Sequence, residues 1–311
     1  MLSYYTKRSK GEGFHKTSAP HEYTSWIHGS SITREELDGL VGRYGLTPNI
    51  VHDVRDVHEL PRVEYGDKGY LYMFLRVPRM TKRGEVETAP LLAIIRGRLL
   101  LTLANGEAFQ PEALMQKDQL NLATTSTQLA LLSVTAVVTE YEELIHKTSR
   151  DIKDVSHRLR KHDVTNRDFV HFVTIEDNLN EYTTNLDGMQ ALMKHLRENR
   201  RQVFSLGDEE MIDDILLHIQ QLLVAVSSNL QSVTSIRNAY STIANNSLNQ
   251  RMKTLTVLTV LIALPNVFYG MYGMNVALPF AEQPWAYSAV VVFTIIIIIV
   301  VYILARRFKI F

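Results

Sequence analysis

The chain has 311 residues, enough for two or three domains, and its 33 Lys+Arg balance its 33 Asp+Glu. That balance gives no ground for a nucleic-acid or strongly acidic partner, and the lack of any cysteine excludes disulfides and thiolate metal sites. A mean hydropathy near zero hides an uneven distribution, because the apolar residues gather towards the C-terminus. Met1 to Pro20 is polar, carries Lys7, Arg8, Lys10 and Lys16, and has no apolar run. Membrane insertion is therefore expected from later segments, with the N-terminal part staying where it is made.

From about Tyr23 to Asn105 strand and helix signals alternate. Tyr70 to Val77, Pro90 to Ile95 and Arg98 to Leu103 are rich in aliphatic, aromatic and β-branched residues and predict strands. Thr33, followed by Glu35, Glu36 and an apolar Leu37/Leu40/Val41 face, predicts a helix start. Glycines at 66, 69, 84, 97 and 106 mark turns. These signals predict an α/β cytoplasmic domain over residues 1–120.

Between Pro111 and Pro265 there is no proline, and apolar residues recur at three and four. The pattern predicts long helices over roughly 121–161, 165–203 and 208–271, packed against one another. Residues 121–250 form the helical region, broken near Lys161–Asp163 and Ser205–Asp208. Nothing stops the third helix between Asp208 and Pro265, a rise of roughly 85 Å at 1.5 Å per residue. It is expected to act as a stalk running into a membrane.

Residues 251–311 carry two apolar segments, expected at about 252–272 and 285–305, joined by a loop over 273–284 and followed by a tail over 306–311. A buried core helix would also accommodate the first segment; the second, with its run Ile295 to Ile299, suits only lipid. Arg251 and Lys253 precede the first span, Arg306, Arg307 and Lys309 follow the second, and the loop has only Glu282 as a charge. Positive flanks stay inside, so both termini are expected in the cytoplasm, with the protein in the cell (inner) membrane.

The spans differ in kind. The second is uniformly aliphatic, whereas the first carries Met252, Leu255/Thr256, Thr259, Ala263, Asn266, Gly270 and Gly273 at helical spacing. Such a stripe fits either close helix packing or a watery lumen, and a lumen requires several copies because one hairpin cannot enclose it. His52, Asp53, Asp56 and His58 could suggest a metal cluster but read as surface polar residues. No phosphate-binding loop, dinucleotide fingerprint or nucleophile elbow is present, so no enzyme and no organic cofactor are expected.

Tyr272-Gly273-Met274-Asn275 closes the first span. With Met252-Lys253-Thr254-Leu255-Thr256, Pro265, the two-span C-terminus and Asp56 to Tyr65 upstream, the chain resembles the CorA family of magnesium and cobalt channels over most of its length. The resemblance implies an α+β fold in a funnel-shaped homopentamer, with influx of Mg²⁺, Co²⁺ or Ni²⁺ driven by membrane potential and gated by internal Mg²⁺. It places an ion-selecting outer mouth at Gly273, Met274 and Asn275, and a constriction at Met252 and Leu255 with Asn249 a turn further in. Asn266 and Thr259 take pore-lining positions, and the regulatory magnesium site falls at Asp214 with Asp213 beside it. Its partner acid stays open, with Glu85 and Glu87 as candidates. A ZntB-like zinc transporter has the same fold, although Met274 speaks against it, and an inert membrane anchor is the third reading.

Overall fold

The computed structural model describes residues 2–7, 13–17, 24–106, 109–112, 123–160, 166–276 and 283–307. It divides into two compact units, Met1–Ser235 and Ile236–Phe311. The Lys161–Asp163 helix break, Glu282 and Lys309 lie outside the described residues.

The first unit is built on a seven-stranded sheet. Its strands are β1 (Leu2–Thr6), β2 (His15–Thr17), β3 (Thr24–Ser30), β4 (Arg62–Tyr65), β5 (Leu71–Met80), β6 (Val86–Arg96) and β7 (Leu99–Ala104), in the order β2-β1-β3-β7-β6-β5-β4. All neighbours are antiparallel except β3 and β7. The three strands predicted from sequence are β5, β6 and β7 at its centre. Gly84 and Gly97, both at positive φ, close the two hairpins that join them.

Both faces of β5 to β7 are buried, which explains their continuous apolar runs. Tyr72, Phe74, Leu92, Ile94, Leu101 and Leu103 pack under α1 (Arg34–Tyr44) and α2 (Pro48–His52), with Leu37, Leu40, Ile50 and Val51 completing that core. Thr33 starts α1 as expected, through a reciprocal capping box with Glu36, and Gly45 ends it in the left-handed conformation. Long helices cover the opposite face: α3 (Ser126–Arg160) over β5 to β7, and α4 (Asn166–Arg197) over β4 and β5. The second predicted helix ends earlier than expected, because the chain turns at Asn199 and Gln202, both at positive φ. α5 (Leu206–Tyr272) then contributes residues to both units, and α6 (Ala286–Arg307) follows.

Buried polar groups tie these layers together. Arg76 donates to the carbonyls of Val57, Glu59 and Thr88, while Tyr141 of α3 donates to the Arg76 carbonyl at 3.1 Å. Thr88 in turn donates to Glu181 of α4 at 2.9 Å. Trp26 donates through Nε1 to Thr102 Oγ1 at 2.8 Å, and that hydroxyl lies 3.0 Å from His28 Nδ1. Among the described residues His28 Nε2 is buried without a hydrogen-bond partner, and burial pushes the imidazole down to about 4, against an opposing pull from Glu112. Asp208, also buried, accepts from Ser205 and from Thr127, joining the start of α5 to α3.

Candidate functional site

Within the second unit, the final part of α5 and α6 are two helices long and apolar enough to cross a membrane. Only 6% and 11% of their most apolar stretches are covered within the chain, so most of their surface faces outward. The covered positions of the first span are Val257, Leu261, Leu264, Pro265 and Phe268, a single face at helical spacing. Phe268 in that face meets Phe293 of α6 edge to face, with centroids 5.2 Å apart. On α6 the matching covered face includes Val290, Val291, Thr294, Ile297, Val301 and Ala305.

The polar stripe lies on the other side of the same helix. At 3.6 residues per turn its mean direction is roughly 170° from the Val257–Phe268 face. Asn249, Met252, Leu255, Thr256, Thr259, Ala263, Asn266, Gly270 and Gly273 are all exposed in the single chain. The first span is therefore two-sided: one face is used by the hairpin, and the other holds small, hydroxyl and amide groups with no charge. The alternating spacing of four and three also continues upstream through Asn245, Thr242 and Asn238, all exposed. The stripe read from the sequence began at Met252, with Asn249 placed by the family resemblance; carrying the same count further upstream reaches these residues.

At its C-terminal end the helix terminates on Gly273, whose N–H donates to the Tyr269 carbonyl at 3.0 Å, followed by Met274 N–H to Met271 O at 3.2 Å. Gly273 does not adopt a positive φ. A Cβ there would instead meet the Tyr269 carbonyl at 3.3 Å, so the absence of a side chain matters for close approach to the last helical turn. Met274 and Asn275 are exposed at this end.

The acidic pair on α5 belongs to the first unit, and its two members differ. Asp213 Oδ1 accepts from Arg197 Nε of α4 at 2.6 Å, which raises the guanidinium's pKa further. Asp214 lines a groove of about 440 Å³ with Thr135, Leu132 and Gln128 on one side and Met211, Ile215 and His218 on the other. His218 Nε2 lies 3.2 Å from Glu142, which also faces His146 at 3.5 Å. Glu87 is paired with Arg79 at 2.7 Å. Among the described residues no three His, Asp or Glu side chains are placed to hold a metal ion. The His52–His58 region is likewise committed elsewhere: His52 faces Asp38 at 3.0 Å, Asp53 accepts from Arg62 at 2.7 Å, and Asp56 accepts from the His58 N–H.

A family profile described as "CorA-like Mg2+ transporter protein" matches residues 21–307. The cobalt/magnesium transport protein CorA of Thermotoga maritima is 25% identical over 305 residues, 93% of this chain and 83% of that protein. Its counterpart in Methanocaldococcus jannaschii is 23% identical over 303 residues, covering 91% of this chain and 90% of the relative. The complete structure of the CorA magnesium transporter from M. jannaschii superposes with a TM-score of 0.84 at 20% identity, over 99% of this chain and 98% of the other.

Proposed function

The chain belongs to the CorA-like Mg²⁺ transporter family, and we propose that it conducts divalent cations, Mg²⁺ foremost and Co²⁺ and Ni²⁺ with it, inward across a cell membrane. The observation that carries this reading is the exposed, uncharged polar stripe opposite the hairpin's own packing face. Such a face needs water or other copies of itself, and a ring of copies gives it both. A ring of five copies is the arrangement that the family resemblance supports.

Mg²⁺ parts with its water reluctantly, and neutral amides cannot replace the shell. The ion passes largely hydrated, with Asn275 amide oxygens at the mouth accepting from coordinated water beside Gly273 and Met274. With basic flanks inside and both termini cytoplasmic, moving two charges through 100 mV yields about 4.6 kcal/mol, so no nucleotide is needed. Met252 and Leu255 close the inner end as apolar rings that shed water, with Asn249 below them. Asn266 and Thr259 line the passage between gate and mouth. Internal Mg²⁺ holds the gate shut by bridging copies at Asp214. Asp213, committed to Arg197, supports it from the side.

Uptake into proteoliposomes with Mg²⁺, Co²⁺, Ni²⁺ or Zn²⁺ outside, with and without a protonophore, tests the reading. Mg²⁺ uptake that follows the imposed potential and falls with Asn275→Ala is the expected result. Proton-coupled Zn²⁺ uptake would move the protein to the ZntB-like alternative, and no flux of any ion would leave the hairpin an anchor. If Asp214→Ala channels still close at high internal Mg²⁺, the regulatory assignment is wrong.

A further inference from the structure

The chain's charges cancel overall but not locally. From Ile215 to Phe311 the cations are Arg237, Arg251, Lys253, Arg306, Arg307 and Lys309, and Glu282 is the sole acid. Arg251, Lys253, Arg306 and Arg307 are exposed, and the hairpin's own packing sets their level. Phe268 meets Phe293 across the hairpin. Thr254 and Arg307 are equally far from that contact along their helices, about 21 Å at 1.5 Å per residue. The four cations therefore fall in one band about 6 Å deep. Tyr272 on α5 and Tyr287 on α6, both exposed, mark the other end, as aromatic side chains do at membrane interfaces. Lys253 to Tyr272 and Tyr287 to Arg307 are each about 30 Å along the helix, the thickness of a bilayer's hydrocarbon core. The band thus lies at the depth of the headgroup phosphates.

Around α5, Arg251 and Lys253 stand about 100° to either side of Met252. Around α6, Arg306 and Arg307 stand roughly 130° to either side of the face that packs on α5, so both turn outward to the bilayer. A cation that leaves water needs a counter-charge. Its own unit offers only Glu282, in the loop that joins the other ends of the spans. A phospholipid phosphate offers an oxyanion, which a guanidinium meets with two parallel N–H bonds. We infer that the band is a binding surface for anionic phospholipid headgroups, which fix the basic ends of both spans on either side of Met252. Zwitterionic lipids carry the same phosphate with an ammonium that cancels it, so headgroups of net negative charge are the ones selected. This selection needs both helices to span the bilayer; it does not need them to conduct.

Spin-labelled phosphatidylglycerol and spin-labelled phosphatidylcholine, each in phosphatidylcholine vesicles holding the full chain, provide the test. At about 0.01 M salt, where charges reach ~30 Å, the protein should immobilise the anionic label about fivefold or more over the zwitterionic one, the preference that even one cation near the surface supplies. At about 1 M salt, where that reach is ~3 Å, the preference should fall towards parity. Arg306→Gln with Arg307→Gln should lower it, and adding Arg251→Gln and Lys253→Gln should abolish it. Arg251→Lys, Arg306→Lys and Arg307→Lys together keep the charge and should keep the preference. Inorganic phosphate in excess over the label should leave the lipid bound. Parity at low salt in the wild type overturns the inference, as does an undiminished preference in the fourfold glutamine variant. A loss in the lysine variant as large as in the glutamine one also overturns it, by assigning the arginines to folding. Displacement by inorganic phosphate makes the band a site for soluble anions and removes the lipid. A wild type that selects the anionic label yet passes no ion keeps this surface and removes the channel reading.

Discussion

Acidification from pH 7 to pH 5 should destabilise the α/β unit through His28, and the size of the effect follows from its surroundings. The ring, on β3, is buried, with one nitrogen against Thr102 and the other without a hydrogen-bond partner among the described residues. Burial lowers its pKa from 6.5 to about 4, so between those values the unfolded chain binds a proton that the folded protein refuses. The stability contributed by neutral His28 is therefore complete above about pH 6.5 and is lost as pH falls towards 4. At 1.36 kcal/mol per pH unit the whole effect is about 3 kcal/mol, of which about 2 kcal/mol falls between pH 7 and pH 5. Trp26, bonded to the same Thr102 hydroxyl, is a built-in reporter once Trp285→Phe removes the other tryptophan. Thermal unfolding followed by its fluorescence should show a fall of roughly 4–8 °C between the two pH values beyond that of His28→Gln. Contributions common to the two proteins cancel in the comparison. Equal pH dependence in the two proteins would refute the argument that burial holds the ring neutral.

Substitutions at four further positions probe capping and packing. Thr33→Ala removes half of the α1 capping box and should cost about 1 kcal/mol in urea unfolding, with Thr33→Asp recovering most of it. Gly188→Val places carbon where even a Cβ would meet Pro61 at 3.0 Å, so a loss of about 1–3 kcal/mol is expected. Gly39→Ala, a helical position with open space around it, should instead stabilise by about 0.5–1 kcal/mol. Phe268→Leu breaks the edge-to-face pair with Phe293 and should lower the hairpin's resistance to SDS by about 0.5–1.5 kcal/mol, with Phe293→Leu adding little to it.

The most legible parts of the sequence are those whose neighbours are local or whose environment is uniform. Strands β5 to β7 are buried on both faces and joined by tight hairpins, so their apolar runs and glycine turns stand out. The two spans show in hydropathy, and the stripe shows in its spacing. Strands β1 and β2 do not, because Leu2–Thr6 buries only part of its length and His15–Thr17 is largely exposed. β2 pairs with β1, and β1 with β3, whose other neighbour β7 lies about seventy residues away in the chain. The inequality of Asp213 and Asp214 was hidden for a related reason: it depends on where the end of α4 delivers Arg197.

The two-sidedness of the first span has a consequence for how such proteins can diversify. Residues that hold the hairpin together and the residues proposed to line the lumen occupy opposite meridians of one cylinder, so on that proposal a substitution on one seldom disturbs the other. Preference for one ion over another can then drift along Thr256, Thr259, Ala263 and Asn266 while Val257, Leu261 and Phe268 keep the scaffold unchanged. A designer could retune this protein by rewriting four positions per copy and leaving the fold alone.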